Sequence, residues 1–493
     1  MAAHDIRNTV KRIRNIMRKD EGIDGDAQRI SQLSWMLFLK IYDELKESNE
    51  YELETTEYES IIPVKYRWRN WAIDNKDGKA LTGDELIRFI SGGEKEIGLF
   101  PTLKNLQIDE TPPRSAIVKY VFTDAYNYMK DGILIRQVIN ELNENIDFDE
   151  YEDRHIFNEI YEELLKELKS AGSSGEFYTP REVTDFMTEM IAPKIGEIVA
   201  DFACGTGGFL TSTISHIREK SKSQKALESI QRNVIGVEFK PLPYILCVTN
   251  MLLHDIDGTN ITRGDSLGYN MQDFSEKDLV DVVLMNPPFG GEIKEGTELN
   301  CPASFRTKDT ASLFMAMILH RLKKNGRVGI VLPDGFLFGA DAGSALVNIK
   351  RKLLSECDLH TIVRLPSGLF YANITTNLLF FKKGTATKGI WYYQVPLPEG
   401  YRSFSKNKPF ERKHLDSARS WWANRSNGDI NAYYVPLSEI EKHNYDIDFK
   451  NPNIKTTANE ATLQQMLDSA SEKSACIANT VAELQRLLKG IEE

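Results

Sequence analysis

The amino-acid sequence predicts an α/β protein: a doubly wound Rossmann-like sheet, preceded by an all-helical region and followed by a helical tail. Three observations carry this. Apolar residues recur at helical spacing through residues 1–170. Beyond them, short aliphatic runs alternate with helical segments, the pattern of βαβ units. Residues 456–493 then return to apolar positions alternately four and three apart, the register of a helix that lies along another helix. Three domains are expected, over 1–170, 171–455 and 456–493.

In chain order, Ile6, Val10, Ile13 and Met17 share one helical face, as do Ile30, Leu33, Leu37, Ile41 and Leu45. A polar stretch punctuated by Gly and Pro, residues 74–113, separates these from helices expected over 133–143 and 156–168. Residues 169–175 are small and read as a linker. Strands are expected at 197–202, Val234–Glu238, Val280–Met285, 328–332, 360–365, 377–382 and 390–394, with a helical insert over 215–232. The connection between 377–382 and 390–394 is too short for a helical crossover, so these two are expected to pair as an antiparallel hairpin at one edge.

Composition bounds the function. The 493 residues are 41% hydrophobic and 27% charged, an ordinary globular mix, and no apolar stretch approaches the roughly twenty residues of a membrane span. The Arg- and Lys-rich start lacks the apolar core of a secretory signal. Five scattered cysteines with no CxxC exclude a disulfide framework or a zinc site and fit a cytoplasmic setting. A net charge of −11 is unlike a protein that grips DNA unaided, so either nucleic acid is not the substrate or a partner supplies much of the grip. No GxxxxGK[ST] loop is present, which argues against a nuclease-translocase role.

The chemistry sits at the expected carboxyl ends of the strands, where open α/β sheets bind ligands. After the first strand comes Asp201-Phe202-Ala203-Cys204-Gly205-Thr206-Gly207-Gly208-Phe209, whose three glycines allow a tight turn and close approach of a ligand. The next strand ends in Glu238, placed to accept ribose hydroxyls. Asp265 stands at a third tip, able to receive an adenine amine. An acid at Asp201 opposes a pyrophosphate and suits a cationic amino-acid moiety, so the set describes S-adenosyl-L-methionine better than a dinucleotide. After Val280–Met285 comes Asn286-Pro287-Pro288-Phe289: the prolines end pairing and hold an amide beside an aromatic ring. That pair suits a planar exocyclic amine. Taken singly, each piece also has a plainer reading, as a packing turn or a strand stop.

Together, Gly175-Glu176-Phe177-Tyr178-Thr179-Pro180-Arg181, then DFACGTGGF, then NPPF, resemble the amino-methylating DNA methyltransferases. The chain most closely resembles the modification subunit of type I restriction–modification systems, over nearly its whole length. Two departures are Phe202, where proline is usual, and Glu176, where glutamine is frequent. The resemblance implies that Glu176, Phe177, Tyr178, Thr179, Pro180 and Arg181 cover the methionine end of the cofactor. Thr206, Gly207 and Gly208 would line it, with Gly205 in the same turn; Glu238 would hold the ribose and Asp265 the adenine. It also implies methylation of adenine N6 in DNA. Asn286 and the Pro287 carbonyl would accept the amine protons and Phe289 would stack on a flipped-out base, with no metal required.

Methylation of RNA or of a protein glutamine shares the NPP-type turn and stays open at this point, as does a non-catalytic assembly role. The resemblance further implies a separate specificity subunit, commonly joined by two modification subunits; whether a restriction subunit also joins stays open here. The tail at 456–493 is the expected docking helix. Residues 407–431, with Trp421 and Trp422, read as a surface segment with buried tryptophans in preference to a DNA contact.

Overall fold

The structure is a computed structural model. It describes residues 3–52, 60–73, 80–107, 113–146, 178–256, 260–290, 293–370, 375–401, 403–405, 408–426 and 428–453. The expected helix at 156–168, the site residues Glu176 and Phe177, and the tail at 456–493 lie outside the described residues. The chain divides into two units, Met1–Phe449 and Lys450–Glu493, and the account below concerns the first.

Nine strands form one mixed sheet: β1 Val199–Asp201, β2 Val234–Glu238, β3 Ile261–Arg263, β4 Val280–Met285, β5 Leu322–Pro333, β6 Cys357–Arg364, β7 Thr376–Lys383, β8 Gly389–Gln394 and β9 Ala432–Pro436. Their spatial order is β3-β2-β1-β4-β5-β7-β6-β8-β9. The pairs from β3 to β5 are all parallel. The chain order reverses at β1 and β4, so the ends of these two strands flank a crevice of the kind that receives ligands.

The expected edge hairpin is not formed. β7 is antiparallel as anticipated, but it lies inside the sheet between β5 and β6. With both of its edges taken, the chain passes residues 384–388 beyond β6, and β8 pairs with β6 in parallel. The antiparallel edge is instead β9 on β8, a strand the sequence reading missed.

Two apolar layers cover the sheet. One packs the helices Thr310–Arg321 and Ala345–Glu356 on one side through Leu313, Met317, Leu353 and Ile330. The other packs Arg181–Ile191 and Asp416–Ala423 through Val183, Phe186, Val331 and Trp421. Trp421 is thus core, and Trp422 packs edge-on to Phe380 with the Arg425 guanidinium over its ring.

A third cluster joins the N-terminal helices to the sheet through the helix Pro241–Leu253, which packs on Asp26–Glu52. Asp20, buried between helices, accepts the backbone N–H groups of Gly22, Lys130 and Asp131. Residues 80–107 are more ordered than their polarity predicts: Gly83–Ser91 and Leu99–Lys104 are helical and bury Leu86, Phe89, Ile90, Leu99 and Leu103.

Candidate active site

The Gly-rich turn after β1 is held from four directions. Cys204 N–H donates to the Val237 carbonyl at 3.0 Å. Gly205 N–H donates to Glu238 Oε2 at 2.9 Å. Asn250, from the helix Pro241–Leu253, donates to the Thr206 carbonyl at 2.9 Å. Ser266 Oγ donates to the Phe202 carbonyl at 2.6 Å. Gly207 caps the following helix, Gly208–Lys220, in the left-handed region at φ 84°. A Cβ there would also stand 3.0 Å from Cys247 Sγ and 3.1 Å from Met251 Cε, so both conformation and space require glycine. Phe202 is buried beneath the Arg321 guanidinium, 4.7 Å from its ring centroid, so the turn is stiffened by packing where a proline ring is usual.

The turn opens on a cavity of about 280 Å³ at the crevice. Three of the acids predicted from the sequence, Asp201, Glu238 and Asp265, line it together with Gly205, Thr206, Gly208 and Thr179. Glu238 is buried; its second oxygen accepts Lys240 N–H at 2.7 Å, so it braces the wall of the cavity as well as facing it. Burial raises its pKa above the ordinary carboxylate value, against the pull of the N–H groups of Lys240 and Gly205. Asp201 is raised further: burial dominates, the Ala203 N–H offsets part of it, and the negative charge of Glu238 adds to it. Two buried acids of this kind favour a ligand that brings positive charge.

A stability prediction follows. A carboxyl whose folded pKa is raised stabilises the fold fully below the ordinary carboxylate pKa and loses that contribution as pH rises through the folded value. Asp201→Asn keeps an oxygen for Ala203 N–H and removes the charge. Its thermal midpoint should therefore exceed that of the parent at pH 7, by roughly 1–3 °C, with the gain shrinking toward pH 4. A midpoint at pH 7 equal to or below the parent's would refute this.

On the other side of the crevice β4 delivers Asn286. Its Nδ2 donates to Thr179 Oγ1 at 3.1 Å. Its Oδ1 is buried and accepts no hydrogen bond among the described residues. A buried amide oxygen without a donor costs on the order of 1–3 kcal/mol, a cost an incoming donor would relieve. Asn286, Pro288 and Gly290 line the cavity. Pro287 is buried, and Phe289 is half-buried against the apolar layer that contains Val183 and Val331.

The remaining predicted residues that the structure describes support the site without lining the cavity. Tyr178 is buried in the core, and Pro180 precedes the helix Arg181–Ile191 as its cap. Arg181 donates to the Gly208 carbonyl at 2.7 Å and also bonds Thr211, tying that helix to the one after the Gly-rich turn. Gly207 likewise sets the turn and does not line the cavity. Sequence reasoning missed Phe239, Ile293, Lys294, Thr310 and Phe314, which also line it. The position of Phe239, next to the Glu238 strand tip, was the one available signal.

The similarity to known proteins agrees with this geometry. The N-6 DNA methylase family model matches residues 152–461, and a model of the HsdM N-terminal domain matches residues 6–142. The type I restriction enzyme EcoEI methylase subunit of Escherichia coli is 46% identical over 91% of this chain and 90% of its own. The EcoKI methylase subunit of Escherichia coli K12 is 29% identical over 78% of this chain and 70% of its own. A solved type I modification subunit from Vibrio vulnificus YJ016 shares 40% identity and a TM-score of 0.79, covering 92% of this chain and 98% of its own. A chain solved in a study of complex assembly and conformational transition of the type I R-M system gives 33% and 0.78, covering 98% of each. No helix among the described residues is long and apolar enough to cross a membrane. The chain therefore belongs to the N-6 DNA methylase family, as a methylase subunit of the type I restriction–modification class.

Proposed function

We propose that the cavity binds S-adenosyl-L-methionine and that Asn286 presents the N6 amine of a flipped-out adenine to it. The observation that carries this is the Asn286 carboxamide oxygen, buried and without a donor beside a cavity lined by three acids. The residues fit the cofactor: Asp201 faces its cationic amino-acid end, Glu238 its ribose and Asp265 its adenine. When bound, S-adenosylmethionine supplies an electrophilic methyl group on sulfur. Adenine N6 is a weak nucleophile because its lone pair is delocalised into the ring. Asn286 Oδ1 and the Pro287 carbonyl accept hydrogen bonds from its two N–H groups and favour a tetrahedral nitrogen with the lone pair turned toward the methyl; one N–H proton leaves to solvent as the nitrogen gains the methyl. Thr179 holds the Asn286 amide from behind, so its oxygen is oriented before substrate arrives, and oriented dipoles of this sort supply much of an enzyme's acceleration. Phe289 stacks on the extruded base. Tyr178, Pro180 and Arg181 fix the wall behind the methionine end.

The partners follow from charge and from the relatives. A chain with a net charge of −11 gains its grip on DNA from a specificity subunit, with two modification subunits to one such subunit. The 33% identity to a chain solved in a study of type I complex assembly supports assembly with partner subunits. Docking to that partner is assigned to residues 456–493.

The test is transfer of labelled methyl from S-adenosylmethionine to DNA by this chain alone and with its co-expressed specificity partner. Transfer in the mixture only is the expected result; no transfer in either would overturn the reading. Removal of residues 461–493 should abolish co-purification with the partner, and a retained complex would assign docking elsewhere.

A further inference from the structure

Lys294 lies on the loop that leaves the Asn286–Phe289 turn. Its ammonium stands 3.6 Å from Asp265 Oδ2 and 4.6 Å from the centroid of the Phe239 ring. Phe239, directly after the buried Glu238, is 51% exposed, an unusual exposure for a phenylalanine in a cavity wall. Asp265 Oδ1 already accepts Leu267 N–H at 3.0 Å, which leaves Oδ2 as the oxygen for another donor. All three side chains line the same cavity.

An adenine bound here would stack on Phe239 at about 3.5–4 Å and place its amino nitrogen about 3 Å from Oδ2. Those two requirements define the volume in which the ammonium stands. A lysine and an adenine ring cannot share it, and both use the same acceptor and the same aromatic surface. We propose that Lys294 is an internal competitor for the adenine subsite, displaced by any adenine nucleoside that enters. The inference rests on the cofactor reading above. Donor and demethylated product carry the same adenosine, so the competitor weakens both equally and shortens the residence of the product after each transfer.

The measurement is ligand affinity on the full chain by calorimetry, with S-adenosylmethionine, S-adenosylhomocysteine and adenosine. Lys294→Met keeps the aliphatic stem and removes the charge; Lys294 is largely exposed, and an unchanged thermal midpoint verifies folding. The variant should bind all three ligands tighter, by one common factor of roughly two- to five-fold, the scale of an exposed ion pair. Adenosine, which is neutral, should bind the parent more tightly as salt screens the Lys294–Asp265 pair, and this salt response should be absent in the variant. Equal or weaker binding by Lys294→Met, or a gain confined to ligands bearing the methionine moiety, overturns the proposal. Failure of the parent to bind any of the three would instead refute the cofactor reading, and this inference with it.

Discussion

The Asn286→Ala variant is expected to transfer methyl groups at least about 10²–10³-fold more slowly than the parent while still binding S-adenosylmethionine. The magnitude reflects what is lost. Asn286 Oδ1 is buried and accepts no hydrogen bond among the described residues, and its amide is braced by Thr179 on the far side. Alanine removes both the acceptor and its preset orientation, so the amine keeps its planar, delocalised form. The Gly-rich turn, in contrast, is fixed by Val237, Glu238, Asn250 and Ser266, none of which depends on Asn286. Single-turnover transfer to DNA in the assembled complex measures the first effect and calorimetry the second. Undiminished transfer would remove Asn286 from the reaction; loss of cofactor binding would make it a cofactor ligand instead.

The second large effect is expected at Glu238. Glu238→Ala should weaken S-adenosylmethionine binding about 100-fold or more. It removes the charge-assisted bonds proposed to the ribose, each worth roughly 1.5–3 kcal/mol, and strands the N–H groups of Gly205 and Lys240. Glu238→Gln separates the two roles. Its amide oxygen can still brace one backbone N–H, so the turn is largely kept while the charge toward the ribose is lost, and the weakening should be intermediate. Alanine and glutamine variants that bind as tightly as the parent would exclude Glu238 from the cofactor site. Equal, large losses in both would assign its effect to charge and not to bracing of the turn.

Much of this arrangement was legible because the sheet and the site rest on local chemistry. β4 and β2 begin and end at their anticipated residues, since an aliphatic run stopped by prolines or by a charged tip marks its own limits. The acids at 201, 238 and 265 converge because parallel strands in order bring their carboxyl ends together. What failed was non-local. Nothing in residues 376–394 states that β7 finds partners on both sides, which forces β8 outward to the far edge of β6. β9 was missed because Ala432–Pro436 is short and its partner lies far back in the chain. Helices in 74–113 were missed because a polar, Gly-rich composition hid a few well-spaced apolar residues. Lys294 carries no sequence signal: only the folded loop brings its ammonium to Phe239 and Asp265.

The helix Pro241–Leu253 has one further consequence. It is buried along its length, packing on Asp26–Glu52 on one side and reaching the Thr206 carbonyl through Asn250 on the other. The helical region before the sheet is thus the footing on which the Gly-rich turn is set, and not a detachable adaptor. A chimera that exchanges the first 146 residues with those of a relative must carry a matching surface on this helix. Otherwise the junction that reads as a domain boundary in sequence will be felt as lost grip on the donor, far from any residue that was altered.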